Sequence, residues 1–275
     1  MTPVFFSLLF MSLTAILPGA TENGDQLGES VDLTEIIEQT NKDLPNLSHG
    51  DILENRNRNA DPCTAIGCKW PKKGRLVKVP YIISNKYSPA QINFIKSVMS
   101  TFHGATCIRF VQRKRQKDFL HFFRGAGCWS FVGYQQGEQL VSLSDGCFYT
   151  PVVQHEILHA LGFHHEHSRS DRDDHVIINF TNIITGTEAN FYKRNTNNLQ
   201  TPYDFDSVMQ YNNFAFSKNG LATIIAKNLA SLYFGNAQSM SSNDIERINR
   251  LYNCCKWKKN TLYSVNLESH TVNIM

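Results

Sequence analysis

The chain has 275 residues, 41% of them hydrophobic and 11% aromatic, so it can build a sizeable core and wholesale disorder is excluded. Its 27 Lys and Arg against 24 Asp and Glu give a formal net charge of +3. The basic residues are scattered and no nucleic-acid motif occurs, so nucleic acid is not expected as a partner.

The first 20 residues read as a secretory signal: an apolar run over residues 4–17, then the small residues of Pro18-Gly19-Ala20. The run is shorter than the ~20 residues of a spanning helix, so no membrane anchor is expected, and the destination is extracellular, with storage in secretory granules one route. Export predicts disulfides. Seven cysteines are present, at 63, 68, 107, 128, 147, 254 and 255; six can pair, and the adjacency of Cys254 and Cys255 makes one of those two the odd one.

Residues 21–58 are acidic. Between Thr21 and Glu54 there are nine acidic side chains and one basic, leaving 15 acidic against 24 basic from Asn59 onward. The body therefore carries about +9, and the front reads as a pro-segment lying on it. A body of that charge suits an acidic or matrix-like partner. The polar, arginine-rich stretch 55–60 is a loop of the kind proteases cut. Cleavage after Arg58, by a trypsin-like activator, would leave Asn59 as the new amino terminus.

Residues 76–83 have strand character. Ser88-Pro89 starts a helix carrying Ile92, Ile95, Met99 and Phe102 at helical spacing. Residues 107–111, 119–123 and 140–143 read as further strands, giving a mixed α+β layer. Thr150-Pro151 starts a second helix that ends at Gly162. Residues 168–239 are irregular, a last helix opens at Ser241-Ser242, and 256–275 is a polar tail.

The second helix carries His155-Glu156-Ile157-Leu158-His159. Histidines four apart lie on one helical face, where both reach one metal ion. Glu156 beside the first ligand can reach a water on the metal. Gly162 permits a sharp turn, and the extended spacing selects His165 as third ligand, leaving His164 an exposed neighbour. Three protein ligands keep a position open, the arrangement of a catalytic Zn2+, one per chain, and not of a structural one.

Residues 162–173, Gly-Phe-His-His-Glu-His-Ser-Arg-Ser-Asp-Arg-Asp, resemble the extended signature of the astacin family of metzincin proteases, and Ser207-Val208-Met209-Gln210-Tyr211 resembles its methionine turn. The resemblance runs from about Asn59 to Cys254. It implies a two-subdomain α+β protease, with a twisted mixed sheet and helices above the cleft and a largely irregular lower half with a carboxy-terminal helix. It implies a catalytic domain over 59–255, protein substrates and a monomer. Met209 would lie beneath the zinc, Tyr211 would be a movable ligand and oxyanion donor, and Glu166 would link to the buried mature terminus at Asn59. Gln210 departs from the family's frequent histidine. Ser48-His49-Gly50-Asp51-Ile52 resembles the motif by which astacin pro-segments occupy the zinc, making Asp51 a latch. The family pattern pairs Cys107 with Cys254 and Cys128 with Cys147. The extra pair Cys63–Cys68 resembles the six-cysteine astacins of fish, a group that includes egg-hatching enzymes; egg-envelope glycoproteins are then the expected substrate, the alternatives being a digestive or tissue astacin unrelated to hatching and a catalytically silent zinc-binding secreted module. Cys255 departs from the pattern. Residues 139–143 read as the edge strand that would receive substrate. Asn46 and Asn179 open glycosylation sequons.

Overall fold

The computed structural model describes residues 32–54 and 69–254. The signal, the cut site, Asn59, Cys63, Cys68, Cys255 and the tail lie outside the described residues. No described helix is long and apolar enough to cross a membrane.

The acidic segment folds first as helix α1 (Leu33–Asn41), capped by Asp32, whose Oδ1 accepts from Glu35 N at 3.1 Å. Leu33 and Ile37 bury one turn apart. Strands β1 (Leu47–Ser48) and β2 (Ile52–Leu53) follow. The body opens with β3 (Lys72–Lys73) and β4 (Leu76–Ile83). Helix α2 (Pro89–Ala105) has the full capping box of Ser88 and Gln91, with proline in its first turn. Then come β5 (Ile108–Gln112), β6 (Phe119–Phe123), β7 (Cys128–Ser130) and β8 (Glu138–Leu143). Helix α3 (Thr150–Leu161) ends at Gly162, whose φ of 111° is the left-handed cap that lacks steric cost only in glycine. The lower half is a run of turns with one short ladder, β9 (Val176–Ile178) against β10 (Ile224–Ala226). Helix α4 (Ser242–Leu251) closes it, capped by Ser241.

The main sheet runs β1-β2-β7-β8-β6-β4-β3, with β5 also paired to β4. Helices α2 and α3 share one apolar core with it, built on Val77, Val79, Ile95, Phe102, Leu120, Phe122, Ile157 and Leu158. A second cluster, including Phe191, Ile224 and Phe234, holds the lower half. This is the mixed α+β fold expected. One expectation fails: 139–143 is not an edge strand. β8 lies between β6 and β7, with Gln139, Val141, Ser142 and Leu143 all buried. On the β8 side the body's sheet ends in β7, and Ile52 of β2 pairs onto it in parallel at Ser130.

Candidate metal centre

Helix α3 sets His155 and His159 one turn apart, with ring centroids 4.6 Å apart. The Gly162 turn brings His165 round, so that its ring lies 5.1 Å from His155 and 4.8 Å from His159. His155 Nε2 is 3.0 Å from His159 Nε2 and 3.2 Å from His165 Nε2. Asp51 Oδ2 lies 2.9 Å from His155 Nε2 and 3.1 Å from His165 Nε2, and Oδ1 lies 3.4 Å from His159 Nε2. All four side chains are buried.

The tautomers show what this cluster fits. His155 Nδ1 is 2.6 Å from Val208 O, and His159 Nδ1 is 2.7 Å from Phe163 O. A carbonyl only accepts, so each Nδ1 carries the proton and each neutral ring turns a bare Nε2 lone pair inward. Burial holds His159 and His165 below the ordinary imidazole pKa, which keeps them neutral. Lone pairs about 3 Å apart, facing a carboxylate, repel unless a cation sits among them. Tetrahedral zinc with bonds near 2.0–2.1 Å needs donors about 3.3–3.4 Å apart, and the separations here, 2.9 to 3.4 Å, are at or a few tenths of an ångström below that. The residues fit one zinc ion.

Glu156 follows His155 on α3, is wholly buried, and has neither carboxylate oxygen hydrogen-bonded among the described residues. Burial first, then the charge of Asp51, pushes its pKa well up. The Tyr211 hydroxyl donates to His49 O, its ring stacks 3.9 Å from that of His167, and the His165 ring is 4.6 Å away. Met209 is buried in the main core; its carbonyl accepts from Glu166 N at 2.8 Å. Glu166 is held by Arg247, with Nη2 at 2.6 Å from Oε1, by Arg169 at 3.2 Å and by Asp204 N at 2.7 Å. Gln210 is buried and accepts from the Tyr203 hydroxyl at 2.6 Å. His164 is half-buried, not exposed, because the turn after Gly162 folds it back toward the cluster. Disulfides join Cys107 to Cys254 and Cys128 to Cys147. Asn46 is exposed, whereas Asn179 is half-buried and accepts from Thr181 Oγ1 at 2.6 Å.

Two contributors escape a reading of the sequence. Arg194 grips the acidic segment, donating to Ser48 Oγ at 2.9 Å, His49 Nε2 at 2.9 Å and Glu54 Oε1 at 2.7 Å. His167 is a buried platform for Tyr211. Arg194 has no local signal beyond residue type, and His167, though inside the 162–173 signature, has no local sign of this role, since each acts on a partner far away in the chain.

Residues 65–253 match the profile of the astacin peptidase family. The chain belongs to the astacin family. Among its relatives, High choriolytic enzyme 1 of Oryzias latipes is 41% identical over 258 residues, covering 90% of this chain and 96% of that enzyme. The Low choriolytic enzyme of the same fish is 38% identical, covering 90% of this chain and 97% of that one. A solved structure of High choriolytic enzyme 1, described as a hatching enzyme zinc-protease, superposes with a TM-score of 0.68 at 44% identity, over 72% of this chain and all of that one. This astacin is thus a zinc metalloendopeptidase acting on proteins.

Proposed function

We propose that the chain is a secreted hatching-type astacin, made as a latent precursor, activated by a cut near Arg58 and used to digest egg-envelope glycoproteins. The observation that carries latency is Asp51. Its carboxylate stands among the three histidines, while Ile52 pairs along the edge strand where an extended peptide would add. The pairing is parallel, so the segment runs opposite to a chain that would add antiparallel. Arg194 holds the neighbouring residues on both sides of Asp51. The choriolytic relatives supply the envelope as substrate class, and the basic body suits an acidic matrix.

In the active form His155, His159 and His165 would hold zinc, and Asp51 would be gone. Bound zinc supplies Lewis acidity, bringing the pKa of water at the site toward ~7. Glu156 takes a proton from that water as its oxygen attacks the scissile carbonyl carbon. As the C–N bond breaks, Glu156 delivers the proton to the leaving nitrogen. Tyr211, freed from His49 once the pro-segment leaves, donates to the carbonyl oxygen as charge develops there. Glu166, already clamped by Arg247 and Arg169, would receive the new terminus at Asn59, pinned by the Cys63–Cys68 pair.

The test is isolated egg envelope incubated with activated protein, with and without chelator. Swelling or dissolution that chelator stops is expected, and amino-terminal sequencing of the active form should begin at Asn59. Strong casein cleavage with intact envelopes would remove the hatching role.

A further inference from the structure

Val208 O fixes the tautomer of His155, and the peptide bearing that carbonyl is itself held from behind. Its N–H, on Met209, donates to Ser207 Oγ at 3.0 Å. Ser207 Oγ in turn donates its proton to Asp244 Oδ1 at 2.6 Å. Asp244 Oδ2 accepts from Val208 N at 3.1 Å. The next carbonyl, Met209 O, accepts from Glu166 N, the residue after His165. Asp244 stands in the first turn of α4 and is only 2% exposed. Capping that helix needs a single carboxylate oxygen, the Oδ2 that accepts from Ser241 N at 3.0 Å. The remaining acceptor capacity reaches out of α4 into the turn, 36 and 37 residues back in sequence.

We propose that Asp244 is a positioning residue for the metal centre, acting through Ser207 and the 207–209 turn on His155 and, through Met209 O, on the segment carrying His165. A hydroxyl that donates to a carboxylate is a better acceptor for the Met209 N–H. That polarises the same peptide's carbonyl and strengthens its bond to His155 Nδ1–H. A histidine so held turns a more basic Nε2 inward at a fixed angle, and loss of such outer partners typically costs 10–100-fold in metal affinity. Every partner of this carboxylate is a donor. Asn at 244 would therefore set an amide N–H against Ser207 Oγ–H or against a backbone N–H.

The inference rests on His155 and His165 being metal ligands, so the test carries a ligand arm. Full-length chain is loaded with zinc, its affinity is read by chelator competition, and the cobalt-substituted form gives a visible spectrum. His155→Ala should lose nearly all affinity. Asp244→Asn and Ser207→Ala should each weaken zinc about 10–100-fold and alter the cobalt spectrum. Ser207→Ala leaves the α4 cap in place and so stands if Asp244→Asn fails to fold. Ser241→Ala, which removes the cap hydroxyl and its bond to Asp204 but leaves Ser241 N–H on Asp244, should lower the melting temperature and leave zinc affinity within about twofold. Rescue by Asp244→Glu of part of the affinity is expected. Should Ser207→Ala and Asp244→Asn hold zinc as the parent does, with only the melting temperature reduced, Asp244 is a helix cap and nothing more. Should His155→Ala keep zinc, the ligand assignment fails and the relay fails with it.

Discussion

Glu156 is wholly buried with both oxygens unpartnered among the described residues. A carboxylate kept this way gains nothing structurally; burying it unpaired costs stability, which the molecule tolerates where the group has work to do in a reaction. Glu156→Gln should therefore retain zinc and lose nearly all peptide hydrolysis, on the order of 10²–10⁴-fold or more, because the proton carrier alone is removed. Turnover near the parent's would exclude Glu156 from the chemistry. Tyr211 differs: it is engaged here with His49 O and stacked on His167, so its availability depends on what occupies the cleft. In activated protein, Tyr211→Phe should fold, bind zinc and lose roughly 10²–10³ in kcat, the loss expected for one oxyanion donor. An unchanged rate would leave Tyr211 a packing residue.

Among the elements, those with caps or sustained periodicity are legible in the sequence. Ser88-Pro89 and Ser241 mark the starts of α2 and α4, and Gly162 marks the end of α3. The three clustered histidines are legible because one helix and one turn present all three. Strands of two or three residues are not: β2 and β7 have no periodicity to read and exist only through pairing over a long chain separation, Ile52 to Ser130. That is why the sequence points to β8 at the edge in place of β7. Helix α1 does carry a signal, Asp32 before Leu33, Ile36 and Ile37, but the acidic charge of that stretch outweighs it. Arg194 and Asp244 reach the site from separate segments, and nothing local to either announces it; His167 sits within the 162–173 signature, but its role as a platform comes from packing on distant Tyr211.

Helix α1 also carries a titrating contact. Glu38 lies half-buried where its Oε1 accepts from Phe216 N at 3.0 Å, and burial, opposed by that bond but aided by Asp32 and Glu35, pushes its pKa up to about 8. Released, it would return toward 4.5. The docked state then holds the extra proton between those two values. The contribution of Glu38 to docking is strongest below the lower one, weakens by up to about tenfold per pH unit as pH rises, and levels off above the higher one; His49 of the same segment, which burial lowers from 6.5 to about 2, contributes the opposite slope below 6.5. A peptide of residues 21–54 should inhibit activated protein better at about pH 5.5 than at about pH 8, and Glu38→Gln should flatten or reverse that slope, leaving the contribution of His49. Equal slopes for the two peptides would clear Glu38 of any part in it.

Over the whole molecule, two apolar clusters hold the upper and lower halves, and the Cys107–Cys254 bridge ties the end of α4 to the strand layer across 147 residues of chain. The acidic front contacts both halves. It pairs with β7 above through Ile52, and below it contacts Asn212, whose amide donates to Asp32 at 2.7 Å. The net negative front on a body of about +9 adds long-range attraction to these contacts. Latency on this account is a property of the folded whole, with Asp51 at its centre. It is tested most directly by the uncut precursor, with Arg56 and Arg58 replaced so that activation cannot occur, carrying Asp51→Ala. Removing the carboxylate reopens the fourth metal position, so this protein should hydrolyse a peptide substrate, chelator should abolish that hydrolysis, and the same precursor with Asp51 intact should stay silent. A zinc-loaded Asp51→Ala precursor as silent as its parent would contradict the account.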